Sequence, residues 1–474
     1  MKFCQTPEYK SVKNRSNKTE NLGVELDVYP ELFYDSGHSI NDWGGGKIMK
    51  HEYLPRVADA LLSAALETSG AVLVEGPKWC GKTRLCEQSA KSCLYLHDPD
   101  RGPGYLRLAD VKPSRLLEGP TPRLIDEWQD APQLWNAVRF IVDRRGGAGH
   151  FLLTGSSTPR DEKTGEAKRH SGAGRISRLA MLPMSLWESR ESSADVALRS
   201  LFEGKLDEVE GTALLDVEGI AHAVCRGGWP EAVTSGGEKS LARARSYLQT
   251  ITEEDIHRVD GVDKNPARVR ALLKSLARNV STLATAETIM EDVRSNDTTI
   301  SDKTLDAYLN ALRRLFVVMD EPAWGPSLRS KSAVRQSAKR QFCDPSIAAA
   351  ALGATPDRLL DDLNTFGFLF ESLAVRDLRV YASALGGTIK HYRDSSGLES
   401  DVIIELEDGR WAAIEVKLGE GQADEAADHL LRLSRKVDTD KVGAPSFLLI
   451  LTGSEFAYRR KDGVIVCPLA CLKP

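Results

Sequence analysis

Apolar residues change their spacing several times along the chain, and each change predicts a different element. Residues 55–66 carry Val57, Leu61, Leu62, Ala65 and Leu66 at helical spacing. Ala71-Val72-Leu73-Val74 is an unbroken apolar run of strand length, followed by a glycine-rich turn and a helix from about Lys82. Leu94-Tyr95-Leu96, Arg123-Leu124-Ile125-Asp126 and Phe151-Leu152-Leu153-Thr154 read as further short strands, with a helix over 135–142 before the last. Short apolar strands alternating with helices predict a parallel sheet covered on both faces. Beyond Met181 the pattern is mainly helical, punctuated by Gly227-Gly228-Trp229-Pro230. Helices are predicted over 281–293 and 301–318, the second with Thr304, Tyr308, Leu309, Leu312 and Leu315 on one face. From Phe366 a long helix runs to about Ala384. Strands follow at 389–392, 402–406, 411–416 and 447–451, with a hairpin turning at Glu407-Asp408-Gly409.

Composition narrows the class. Hydrophobic residues make up 41 % and charged residues 28 %, an ordinary globular balance. No apolar run reaches the roughly 18–20 residues that span a bilayer, and the polar N-terminus has no apolar signal core. A soluble, cytoplasmic chain with no membrane partner is the expectation. The 8 cysteines show no Cys-x-x-Cys pair, which favours buried reduced thiols over a disulfide framework or zinc site. Residues 1–48 are polar and glycine-containing and read as a flexible leader. The net charge of -5 conceals a local basic run, Arg329, Lys331, Arg335, Lys339 and Arg340, with no acid between them. Such a segment is suited to lying along a phosphate backbone, so DNA is an expected partner.

Gly76-Pro77-Lys78-Trp79-Cys80-Gly81-Lys82-Thr83 matches G-x-x-x-x-G-K-[ST] and stands between a predicted strand and a predicted helix. There the backbone N–H groups and the helix N-terminus would cradle phosphate, Lys82 would reach the β- and γ-phosphates, and Thr83 would ligate Mg²⁺. ATP with Mg²⁺ is therefore the expected cofactor pair. The strand ending in Asp126-Glu127 supplies a second Mg²⁺ ligand, Asp126, and a candidate general base, Glu127. Thr154 and Ser156, in Leu153-Thr154-Gly155-Ser156-Ser157, end the next strand and are placed to sense the γ-phosphate or position water. Arg175 leads the candidates for an arginine finger, with Arg144 and Arg145 as rivals.

The P-loop, Asp126-Glu127-Trp128-Gln129, Thr154-Gly155-Ser156-Ser157 and Gly174-Arg175…Leu182-Pro183-Met184-Ser185…Glu188 together resemble the prokaryotic AAA+-type ATPases that carry a C-terminal DUF4143 domain. The resemblance covers about residues 50–435 and implies ATP binding, hydrolysis at a subunit interface, and a homo-oligomer, with a ring as one arrangement. Residues 301–315 resemble the recognition helix of a winged helix-turn-helix. Glu371 in the long helix, Asp401, and Glu415-Val416-Lys417 resemble the PD-(D/E)xK nuclease arrangement, in which the carboxylates hold Mg²⁺ and Lys417 orients water. The expected fold is therefore an α/β multidomain chain. It comprises a P-loop AAA+-like parallel α/β/α core over 49–180, a helical lid or linker over 181–264, a winged-helix domain over 265–350 and a restriction-endonuclease-like domain over 351–474. Three functions are consistent with that plan: an ATPase that binds or remodels duplex or branched DNA, an ATP-regulated metal-dependent nuclease, or a nucleotide-switched scaffold.

Overall fold

In the first α/β unit the central strands are buried on both faces, and the edge strands are partly exposed. The computed structural model describes residues 53–157, 174–259, 264–295, 299–326 and 337–474; the expected leader lies outside them. Strands β1 (Ala71–Glu75), β2 (Ser92–Tyr95), β3 (Arg123–Asp126), β4 (Phe151–Gly155) and β5 (Ile176–Ala180) form a parallel sheet in the order β2-β3-β4-β1-β5. Alternate residues of β1 feed different cores, as strand pleating requires. Ala71 and Leu73 join Trp128, Trp135 and Val138 on one side. Val72 and Val74 join Leu62 of helix α1 (Val57–Thr68) and Leu85 of helix α2 (Lys82–Ser89) on the other. Since β1 lies next to β4 and β5 while β2 is at the far edge, the chain crosses over after β1. The carboxyl end of β1 is thus a switch point, the place where open α/β sheets bind ligands.

The middle of the chain is helical. Glu238–Thr250 runs into a π-helical turn, Ile251–Asp255, and then Ile256–Arg258. Pro266–Arg278, Ala286–Arg294 and Asp302–Arg314 follow. An antiparallel ribbon pairs Val318–Glu321 with Lys339–Phe342. The helix Asp302–Arg314 is capped by Ser301, whose hydroxyl accepts from the Thr304 amide at 3.2 Å, and it buries Leu305, Tyr308, Leu309 and Leu312.

The helix Leu363–Ala384 covers a second, seven-stranded sheet. Gly387–Arg393, Glu399–Leu406 and Trp411–Lys417 are antiparallel neighbours, and Leu448–Thr452 runs parallel to the last of them. Gly409, at φ 88, takes the left-handed turn position of the hairpin. Segments distant in sequence complete the architecture. Glu210–Thr212 joins this sheet beside Phe456–Arg459, and Leu472–Lys473 pairs with Val196–Ala197. One apolar core contains Val57, Ile220, Leu312, Phe370 and Leu472, so residues 52–474 form a single compact unit. Among the described residues no helix is long and apolar enough to cross a membrane.

Candidate functional site

At the end of β1 the chain must turn tightly beneath Met181. A Cβ added at Gly76 would lie 2.0 Å from the Met181 carbonyl oxygen, so only glycine fits. Gly81 begins α2 at φ 103, a second position where a side chain is strained. Between them the loop closes over its own lysine: Lys82 Nζ donates to the carbonyls of Gly76 at 3.1 Å and Pro77 at 2.8 Å. Thr83 Oγ1 donates to Asp126 Oδ1 at 2.8 Å, which joins the loop to the end of β3.

The ends of β3 and β4 are tied together equally closely. Thr154 Oγ1 donates to Asp126 Oδ1 at 2.6 Å and accepts from the Glu127 amide at 2.9 Å. Glu127 itself has φ 55. Its carboxylate accepts from Ser156 Oγ at 2.7 Å and bonds Gln129, which also lies 3.3 Å from Ser156 Oγ. Burial raises the Asp126 pKa, opposed by the Thr154 and Thr83 hydroxyls. The P-loop residues, Asp126, Glu127, Thr154 and Ser156 therefore assemble at the carboxyl ends of β1, β3 and β4.

Arg56, which stands outside every motif, also joins this site. Arg56, just before α1, is buried and pairs with Glu188 at 3.0 Å while donating to the carbonyls of Cys80 at 2.9 Å and Leu182 at 2.8 Å. Glu188 in turn accepts from the Val57 and Ser185 amides. This arrangement braces the back of the P-loop against the segment that follows β5.

Arg175 lies elsewhere. It bonds Asp143 at 2.6 Å, and Ile176, which follows it, is in register with Ala71 at the opposite end of β1 from the P-loop. At about 3.3 Å per strand residue, roughly 13 Å of sheet separates it from this chain's own loop. Arg144 and Arg145 close the helix Gln133–Arg145 and lie over the rings of Phe140 and Phe151, respectively.

Three family models match: an AAA domain over residues 68–189, DUF8612 over 217–358 and DUF4143 over 366–472, the last two being domains of unknown function. The chain carries an AAA domain and a DUF4143 domain. The AAA match spans the P-loop, the acidic pair and Glu188. Uncharacterized proteins of Mycobacterium tuberculosis and Mycobacterium bovis are each 27 % identical over 367 residues, covering 76 % of this chain and 73 % of theirs. A Walker-type ATPase of Pyrococcus abyssi aligns over 63 % of this chain and 96 % of its own, at 14 % identity and a TM-score of 0.38.

In the DUF4143 domain, Glu371, Asp401, Glu415 and Lys417 do converge, but around a cation of the chain's own. Lys339 Nζ lies 2.8 Å from Glu371 and 3.9 Å from Asp401. Lys417 Nζ lies 2.8 Å from Glu415 and 3.5 Å from Asp401. Glu321, fully buried, faces Lys339 across the ribbon. Burial, which lowers an ammonium pKa, is outweighed by Glu371, Asp401 and Glu321, and the Lys339 pKa is raised. Among the described residues no group of three or more His, Cys, Asp or Glu side chains is arranged to hold a metal ion. At Glu371, Asp401 and Glu415, the expected Mg²⁺ ligands, the neighbouring positive charges are the ammonium groups of Lys339 and Lys417.

Lys339 is buried rather than available to a phosphate backbone, and Arg340 donates to the Ala284 carbonyl at 2.5 Å. Arg329, Lys331 and Arg335 lie outside the described residues. The expected recognition helix exposes Asp302, Lys303, Asp306 and Asn310, with Arg313 and Arg314 half-buried in its last turn.

Proposed function

We propose that the chain is a Mg-ATP hydrolase whose reacting groups are Lys82, Thr83, Asp126 and Glu127. The observation that supports this reading best is the linkage of Thr83, Asp126, Thr154 and Glu127 by hydrogen bonds of 2.6–2.9 Å at the switch point of a parallel sheet. The donor set suits Mg²⁺, which takes hard oxygen ligands from one or two carboxylates and completes its shell with phosphates and water. Thr83 and Asp126 would hold it, and it would neutralise charge on the β- and γ-phosphate oxygens.

The rest of the reaction belongs to the chain's own groups. Lys82 exchanges the Gly76 and Pro77 carbonyls for the β- and γ-phosphates. Glu127, aimed by Ser156 and Gln129, takes a proton from a water as its oxygen attacks the γ-phosphorus. The bond to the ADP oxygen breaks on the opposite side. Arg175 is too far along the sheet to reach this chain's own γ-phosphate, so a finger role for it requires a second copy of the chain.

Calorimetric titration with Mg-ATP tests the site. Lys82→Ala is expected to weaken binding by roughly tenfold or more, as loss of a charge-assisted phosphate contact does. Thr83→Ala should remove the dependence of affinity on Mg²⁺. Wild-type affinity in both variants would refute the assignment.

A further inference from the structure

The outer arc of the P-loop is gripped by side chains that come from the helical middle. Lys78 forms an ion pair with Asp255, the last residue of the π-helical turn Ile251–Asp255. The Asp255 side chain is 3 % exposed and that of Lys78 29 %. Next along the loop, the Trp79 ring lies against Tyr247 with centroids 5.2 Å apart, and Tyr247 meets Trp229 edge-on at 4.7 Å. Trp79 has φ 65, a conformation that a bulky L residue keeps only where its surroundings hold it. Tyr247 is fully buried. Trp229, Tyr247 and Asp255 all lie between residues 217 and 258, and none belongs to the parallel sheet.

Two of the loop's lysines therefore have different tasks. Lys82 sits on the loop's own carbonyls and is free to exchange them for phosphate. Lys78 is committed outward, because leaving would strand a buried carboxylate without its partner, which is strongly unfavourable. A single π-helical turn at such a contact fits the pattern that these turns concentrate at functional positions.

We propose that Asp255 and Tyr247 are positioning residues for the nucleotide site. They hold Lys78 and Trp79, and with them the phosphate-binding shape of the loop, so loop occupancy and the helical segment 238–258 respond to one another. The inference rests on the ATP-binding reading above. It makes the helical segment 238–258 the element that first registers a bound nucleotide.

The test uses the full chain titrated with Mg-ATP, followed by calorimetry and by tryptophan emission. Asp255→Asn, which keeps the shape, and Lys78→Met should each weaken affinity about tenfold, within the range of coupling between contacting residues. The double variant should be no weaker than either single one. The ATP-induced emission change should disappear in Trp79→Phe and diminish in Asp255→Asn. If Lys78 instead binds phosphate, Asp255→Asn releases it and ATP binds more tightly, which overturns the inference. Unchanged affinity and emission in Asp255→Asn overturns it as well. A wild-type chain that binds no ATP defeats the underlying reading instead, and so separates the two.

Discussion

Glu127 has its backbone in the left-handed region and its carboxylate held by Ser156 and Gln129. That is a costly way to place a surface acid and a sensible way to aim a base. If aiming is the purpose, Ser156→Ala and Gln129→Ala should lower kcat by about tenfold to a hundredfold with KM little changed, since misplacing a reacting group costs rate rather than ground-state binding. Steady-state kinetics checks this; a raised KM at constant kcat would assign the pair to substrate binding. The glycines, Lys82, Thr83 and the acidic pair were legible in sequence because each sits at a fixed offset from a strand end. Gln129 stood inside a quoted motif without a role, and its role appears only with the geometry. Asp255 had no such cue, since it meets Lys78 from 177 positions away.

At the scale of elements, the informative case is the strand Lys339–Phe342. The sequence pattern shows a basic run and predicts a phosphate-facing segment. Pairing with Val318–Glu321 instead directs Lys339 inward, beside Glu321 and onto Glu371. Run composition cannot distinguish these outcomes, because alternate strand residues point to opposite faces. The convergence of Glu371, Asp401 and Glu415 was legible from element order, while the cation they surround comes from an earlier element. Lys339→Met should therefore lower the melting temperature markedly, because it leaves buried carboxylates without their partner. Adding Glu371→Gln should recover part of the loss, read by calorimetric melting. A second expectation concerns metal. Titration of the nucleotide-free chain with Mn²⁺, followed by electron paramagnetic resonance, should reveal no bound ion that Asp401→Asn removes. A site lost in that variant would support the nuclease-like reading.

Across the whole molecule, one core runs from Leu182 and Leu186 through the helical middle to the C-terminal sheet, and strands from residues 196–212 complete sheets built near the C-terminus. Sequence periodicity identified the two α/β units but could not reveal this interleaving, which depends on pairing between strands hundreds of residues apart. The buried carboxylate group gives the molecule a pH signature. Burial raises Glu371 and Glu415 to about 8, despite Lys339 and Lys417, with Asp401 and Glu321 adding repulsion at Glu371 and Asp401 at Glu415. Between the ordinary value of 4.5 and about 8 the folded state holds protons that the unfolded chain releases. Stability should therefore fall as pH rises through that window and level off above it. Asp394, where bonds from Lys436 and Ser396 outweigh burial, is shifted downward and changes charge below the window. Melting temperatures measured without nucleotide should show the decline, and Glu371→Gln should flatten it; a rise between pH 5 and 8 would contradict the assignment.

In the proposed reaction Glu127 is the base at a site built on Thr83 and Asp126. Single-turnover hydrolysis of Mg-ATP by the wild type and Glu127→Gln, with affinity measured on the same samples, tests it most directly. The variant should bind ATP as tightly as the wild type or more so, with turnover reduced by about a hundredfold or more, as for removal of a general base. Equal turnover in the two proteins would contradict it.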